Sequence, residues 1–384
     1  MRGSAVSRAV DVLPTGRTAV LLQRRAGSQN GLELRIGGQR RLLDRSPSGF
    51  LDADVQHDSH GRLVVTWRRS FAGGGAAQAF AWTSSGGKQQ VSDAANGVNA
   101  VTLSVAPSGR AGIAYRSTES VFVARRAAGH GFQKAEMVAS TGAGAVSPGI
   151  GVTSGGRIVA AWSDGRSGIL ARAASGGASF GPMQVVLLRA PQAGAALVPG
   201  SPKVVMTAGG RAVVSISSDE LGNHQVLDSR VETFDWPVGA AHPSSAATLS
   251  RDSAAGTADI VAQGTAAVIA WTQRSKGSPR ALWVARWTTK GIQRPNLYDT
   301  HALGLAVLLT PAPNGALDLF YRASGPRWFT VRLSAAGRFT GTSSVTPAGE
   351  SVSAIDVASA GRRRAAAWTR RDGPARVEVA RPAA

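Results

Sequence analysis

The sequence predicts an all-β fold: a β-propeller of four-stranded antiparallel blades. Three observations carry this reading. A glycine-led unit recurs along the whole chain, each unit reads as four short strands, and one position in each unit holds a large apolar side chain. The glycines are Gly16, Gly61, Gly109, Gly156, Gly210, Gly264, Gly315 and Gly361, which gives eight units. Six or seven residues further on stand Leu22, Trp67, Tyr115, Trp162, Ile216, Trp271, Tyr321 and Trp368, spaced by 45, 48, 47, 54, 55, 50 and 47 residues. The chain has nine Trp and three Tyr, and six of these twelve occupy that single column, so the column marks a shared packing position between blades.

Within a unit the order is strand, tight turn, strand, polar loop, strand, turn, strand. One copy reads VTLSV, APSGR, AGIAY, RSTES, VFVAR, RAAGHG, FQKAEMV. The runs are short, rich in Val, Ile and aromatics, and bounded by Gly, Ser, Pro or Asp-Gly turns, which is the signature of strands and hairpins. Apolar residues at helical spacing are absent. Four-stranded sheets repeated radially protect their edges by closing into a ring. The units run approximately over residues 1–50, 51–96, 97–143, 144–192, 193–247, 248–299, 300–347 and 348–384, in one domain. The last reaches only three strands, so the ring is expected to close by packing of the last unit on the first; eight blades is the first reading and seven the alternative. Arginine recurs on the third strand, at Arg125, Arg172, Arg230, Arg286, Arg332 and Arg381, where its stem suits a blade edge.

Composition is globular, with 43% hydrophobic and 17% charged residues. With no cysteine, disulfides and thiolate metal sites are excluded and stability must come from packing. The first sixteen residues lack the apolar core of a signal peptide, and no stretch approaches the ~20 apolar residues of a spanning helix. Net charge is +20, and only five of the 43 basic residues are lysine, so the chain favours anionic partners. Residues 1–50 and 335–384 together carry half of that charge. If the ends meet in a ring, Arg24, Arg25, Arg40 and Arg41 would join Arg362, Arg363 and Arg364 in one basic sector. Aromatics are not interleaved there as a single-strand binder requires, and no specific nucleic-acid motif is present.

A second column lies on the innermost strand. Five residues before each glycine stand Asp11, Gln56, Ser104, Gly151, Val205, Asp259, Thr310 and Asp356. Six of the eight are polar, whereas their neighbours are mostly aliphatic, so alternation sends the polar side chain to the opposite face. Asp259, Thr310, Asp356 and Asp11 come from four consecutive blades of a closed ring and form an acidic arc at the axis. Its oxygens suit channel water, a hard cation such as calcium, a sugar, or acid–base work. His57 and His60 in VQHDSHGR stand near Asp54 and Asp58, but His60 falls at a hairpin tip, and the group reads as a solvated turn, not a metal site. The other histidines show no ligand spacing, and no phosphate-binding loop or nucleophile elbow is found.

The units, of the form sGR–hhhAW–hhVAR–GxF, resemble the degenerate propeller repeats of secreted bacterial proteins grouped with sialidase-type propellers, and APSGRAGIAYRS resembles a TolB-type turn. The resemblance spans the chain and implies the fold and an extracellular or envelope location. The Asp box and catalytic arginine of sialidases are missing: SRDSAAG from Ser250 has one residue too many and no Thr-Trp. No catalytic residue carries over. The sequence therefore points to a monomeric, non-enzymatic binding or scaffold propeller that takes a protein or anionic glycan on one face. The alternative is a glycoside hydrolase with Asp11, Asp259 and Asp356 among its carboxylates.

Overall fold

The computed structural model describes residues 5–380 apart from 72–75, 94–96, 119, 141–145, 166–167, 189, 192, 223–224, 251–252, 257, 276–279, 300–305, 323–326, 348–351, 361–362 and 371–376. Blade 1 shows the plan: Ala5–Val12 (β1), Thr18–Ala26 (β2), Gln29–Ile36 (β3) and Gln39–Ser46 (β4) pair in order as an antiparallel meander. Blades 2, 3, 4 and 7 repeat it with four strands each. Blades 5 and 6 are fused into one sheet, because Ser253–Ala255 pairs in parallel with Ser229 on one side and antiparallel with Gln273–Ser275 on the other. Blade 8 has three described strands, Val352–Ala360, Arg363–Arg370 and Val377–Ala380. The chain thus forms eight blades, the larger of the two numbers the repeats allow.

The repeat columns have physical causes. All seven described glycines of the anchor column take positive φ, between 60° and 90°, at the hairpin joining the first two strands, where a Cβ would be strained. The apolar column fills the space between blades. Eight buried clusters lie one at each interface. Trp67 belongs to the core between blades 1 and 2, Tyr115 to that between 2 and 3, and Trp162 to that between 3 and 4. Ile216, Trp271, Tyr321 and Trp368 occupy the next four in turn. Leu22 closes the ring, packing with Val10, Val12 and Val20 against Ala358, Ala365 and Ala367 of blade 8. Two polar contacts join the same ends: Ser7 N–H donates to Thr369 Oγ1 at 3.0 Å and Val10 N–H to Asp356 Oδ2 at 2.6 Å.

Of the third-strand arginines, Arg230 is buried and pairs with Glu220 and Asp228 of its own blade, Arg332 pairs with Asp318 of its own blade, and Arg125 and Arg286 reach the following blade. The Arg125 guanidinium lies 4.5 Å over the Phe180 ring, and Arg286 donates to the Ala335 carbonyl at 2.9 Å. Arg381 lies outside the described residues. Among the described residues no helix is long and apolar enough to cross a membrane.

Candidate functional site in the axial cavity

The innermost strands of all eight blades surround a cavity of about 500 Å3 on the ring axis. Its wall is two-sided. Blades 7, 8, 1, 2 and 3 supply Thr310, Asp356, Asp11, Asp54, Gln56, His57 and Ser104. Blades 4 to 6 supply Ile150, Val152, Val204, Val205, Met206 and Val261, which form an aliphatic wall opposite.

Most of the polar column first serves the ring. Adjacent innermost strands fan apart and do not pair with one another, so their outward N–H groups need other acceptors. Side chains of the preceding blade provide them. Gln56 Oε1 accepts from Val105 N–H at 3.0 Å, Ser104 Oγ from Val152 N–H at 3.2 Å, Asp259 Oδ2 from Leu309 N–H at 2.7 Å, and Asp356 Oδ2 from Val10 N–H as above. At Gly151 the column has no room for such a group, since a Cβ there would meet Met206 at 2.9 Å.

The predicted arc is placed as follows. Asp11, Thr310 and Asp356 line the cavity, whereas Asp259 is not among its lining residues and is neutralised by Lys203 Nζ at 2.8 Å. The buried Thr310 Oγ1 has no hydrogen-bond partner among the described residues. Two further groups complete the wall, and the innermost column does not contain either. Asp54 follows a β-bulge, where Asp52 adopts φ 49° and the pairing skips a residue between Leu51 and Asp54. Beyond the bulge the pairing is regular, so Asp54 and Gln56, two residues apart, share a face, and Asp54 Oδ2 accepts from Gln56 Nε2 at 2.9 Å. His57 closes the strand, and its Nδ1 lies 2.6 Å from Asp11 Oδ2 of blade 1, while Asp11 Oδ1 accepts from Val12 N–H at 2.8 Å. His60 and Asp58 stay at the hairpin, where Asp58 pairs with Arg62.

These groups have shifted acidities. Burial pushes the Asp54 carboxyl up to about 6, the nearby Asp11 adding to the effect and the Gln56 and Val55 donors opposing it. Burial likewise pushes Asp356 up to about 7, against the Val10 and Val357 N–H donors and with the help of Asp54 and Asp11. Asp11 is raised by burial although His57 and Val12 N–H pull it down. For His57, burial acts downward but the hydrogen bond and charge of Asp11, aided by Asp58, outweigh it and raise the imidazole. Near neutral pH the wall can thus offer both hydrogen-bond donors and acceptors from carboxyl groups. Among the described residues no three His, Asp or Glu side chains are placed to hold a metal ion together.

The structure divides the predicted basic sector. Arg41 turns towards blade 2, its guanidinium 4.9 Å over the Trp82 ring. Arg364 is buried and faces blade 7, 2.8 Å from Asp318 Oδ2. Arg25 is exposed at the end of β2, and Arg24 and Arg40 line a separate pocket on blade 1. The side chain of Arg363, and the whole of Arg362, lie outside the described residues.

With this geometry in hand, comparison with solved structures decides the architecture. The chain is a β-propeller. It is similar in fold to an ulvan lyase of polysaccharide lyase family PL25, at TM-score 0.52 and 11% identity over 98% of this chain and 94% of that one. The polysaccharide lyase Uly1 aligns at TM-score 0.50 and 9% identity, over 97% and 88%. Prolyl oligopeptidase B from Galerina marginata aligns at TM-score 0.51 and 12% identity, over 96% of this chain and 56% of that chain. No family model matches the sequence, and no curated protein matches it. At such identities the likeness is one of fold, and one fold hosts unrelated activities.

Proposed function

We propose that the chain is a ligand-binding propeller whose axial cavity takes a neutral or amino-bearing saccharide. The observation that carries this reading is the two-sided wall: Asp11, Asp54, Asp356, His57 and the unpartnered Thr310 hydroxyl face Ile150, Val204 and Met206 across the cavity. A sugar ring has the same division, with hydroxyl groups on its rim and C–H groups on its faces. Small-ligand sites combine a mainly apolar lining with a few fixed polar groups. The carboxylates disfavour acidic sugars here. Two propellers of similar fold are named polysaccharide lyases, which makes saccharides the first ligand class to try.

The test is calorimetric titration of the purified chain with neutral, amino and acidic oligosaccharides at physiological salt. Saturable binding of a neutral or amino sugar, lost in Asp54→Ala and insensitive to salt, is the expected result. Binding that survives Asp54→Ala, or no binding of any such sugar, refutes the reading.

The acidities of Asp54 and Asp356 favour a second reading, glycoside hydrolysis. One carboxyl still protonated near neutral pH beside an ionised one is the acid–base arrangement that reaction uses. In this reading Asp54 takes the place assigned to Asp259 from sequence. Release of reducing ends from the bound saccharide, abolished by Asp356→Asn, would favour it over simple binding.

A further inference from the structure

Blade 1 has two faces, and its packing tells them apart. Leu32 and Leu34 of β3 join the core with blade 2, so Gly31, Glu33 and Arg35 face the other way. Across the strands, Arg24 pairs with Gly31 and Leu22 with Glu33, while Gly31 pairs with Arg45, Glu33 with Leu42 and Arg35 with Arg40. Leu22 packs on blade 8, so this is the face turned towards that blade. There a pocket of about 450 Å3 opens, lined by Arg24, Arg40, Arg45, Glu33, Gln29 and Leu42 among others.

The charges on this face are poorly compensated. Four arginines stand against one glutamate. Glu33 Oε2 lies 3.8 Å from Arg24 Nε and 3.5 Å from Arg35 Nη2 and makes no hydrogen bond to either. The buried Arg24 Nε has no hydrogen-bond partner among the described residues, and Arg40 and Arg45 are exposed at the pocket. Arg35 and Arg40 are directly opposed across β3 and β4, and like charges in that relation are destabilising. An anion in the pocket would offer an acceptor to Arg24, Arg40 and Arg45 together.

We infer that this pocket binds the sulfate or carboxylate groups of an acidic polysaccharide, independently of the axial cavity. Guanidinium groups match planar and tetrahedral oxyanions by paired N–H donors. No aromatic ring lines the pocket, so it lacks the platform on which nucleic-acid bases stack. Gln29 offers an amide to sugar hydroxyls, and Leu42, 46% exposed at the rim, offers an apolar contact to a ring face.

The test compares Arg40→Ala/Arg45→Ala with Lys290→Ala/Arg294→Ala, an exposed pair on blade 6 that removes the same charge. Dextran sulfate oligosaccharide, the unsulfated oligosaccharide, inorganic sulfate and single-stranded DNA serve as probes, each at about 0.15 M salt, roughly physiological, and at about 0.5 M. The blade 1 pair should weaken sulfated-oligosaccharide binding about tenfold or more, and the blade 6 pair less than about twofold. The unsulfated oligosaccharide should not bind at the blade 1 pocket. Equal losses in the two variants would show a general effect of net charge and overturn the inference. So would unchanged binding in the blade 1 pair, or DNA binding that is tighter and equally dependent on it. Binding of neutral sugar in the axial cavity should be unaffected by either pair, so failure of one site is distinguishable from failure of the other.

Discussion

Asp356→Asn should stabilise the protein at neutral pH and flatten its response to pH. The carboxyl of Asp356 is held at about 7 against an ordinary value of 3.8. In the interval between those values the folded chain keeps a proton that the unfolded chain has released. Stability is therefore greatest at the acidic end of the interval and falls as pH rises through it. A shift of this size corresponds to at most about 4 kcal/mol at 1.36 kcal/mol per pH unit. Asp356 borders an open cavity, and solvent screening reduces the effect to about 2 kcal/mol. The amide oxygen of the variant can still accept from Val10 N–H, so the contact between the chain's two ends is retained. Urea unfolding followed by tryptophan fluorescence at pH 4.5, 6 and 7.5 measures the difference between the two proteins. The variant should gain about 2 kcal/mol at pH 7.5 relative to its difference at pH 4.5. If the two proteins keep the same difference at every pH, the buried carboxylate carries no charge penalty and the reasoning fails.

Two other outcomes follow from charge pairs. Asp318 is fully buried and receives Arg332 at 3.0 and 3.2 Å and Arg364 at 2.8 Å, so Asp318→Ala strands a buried cation and should cost about 3 kcal/mol in chemical denaturation. Asp11→Asn removes the main support for charge on His57, and the His57 titration, followed by NMR of its ring, should move to lower pH, with burial then opposed chiefly by Asp58; an unmoved titration would show that the Asp11 contact does not govern the imidazole.

The architecture is legible in the sequence because each blade solves the same packing problem with the same residues. A glycine at a left-handed turn and a bulky side chain between blades recur at nearly constant spacing, and both survive divergence of everything around them. The site is less legible, for reasons that differ from residue to residue. The polarity of the innermost column is visible, but its use at Gln56, Ser104, Asp259 and Asp356 depends on backbone donors one blade away. Asp54 shares the face of Gln56 by simple alternation, but it stands outside the repeat column that marks the other polar positions. The Asp11–His57 pair crosses a blade boundary, and the Lys203–Asp259 pair spans 56 residues, so neither has a local spacing to recognise. Arg364 illustrates the same difficulty, since its partner Asp318 lies in the preceding blade.

The seam between the first and last blades has a bearing on biosynthesis. Among the described residues its cluster, Val10, Val12, Val20, Leu22, Ala358, Ala365 and Ala367, contains no aromatic side chain, whereas aromatic residues occur in each of the other seven cores. The acidic wall straddles this same seam, with Asp11 on one side and Asp356 on the other, where Asp356 accepts from Val10 N–H 346 residues away. A nascent chain can stack its early blades as they emerge, yet it owns no axial cavity until Val352–Ala360 arrives and docks on β1. The ligand site is then a property of the finished ring, and a polypeptide released too early would carry Asp11, Asp54 and His57 without the wall they were placed to complete.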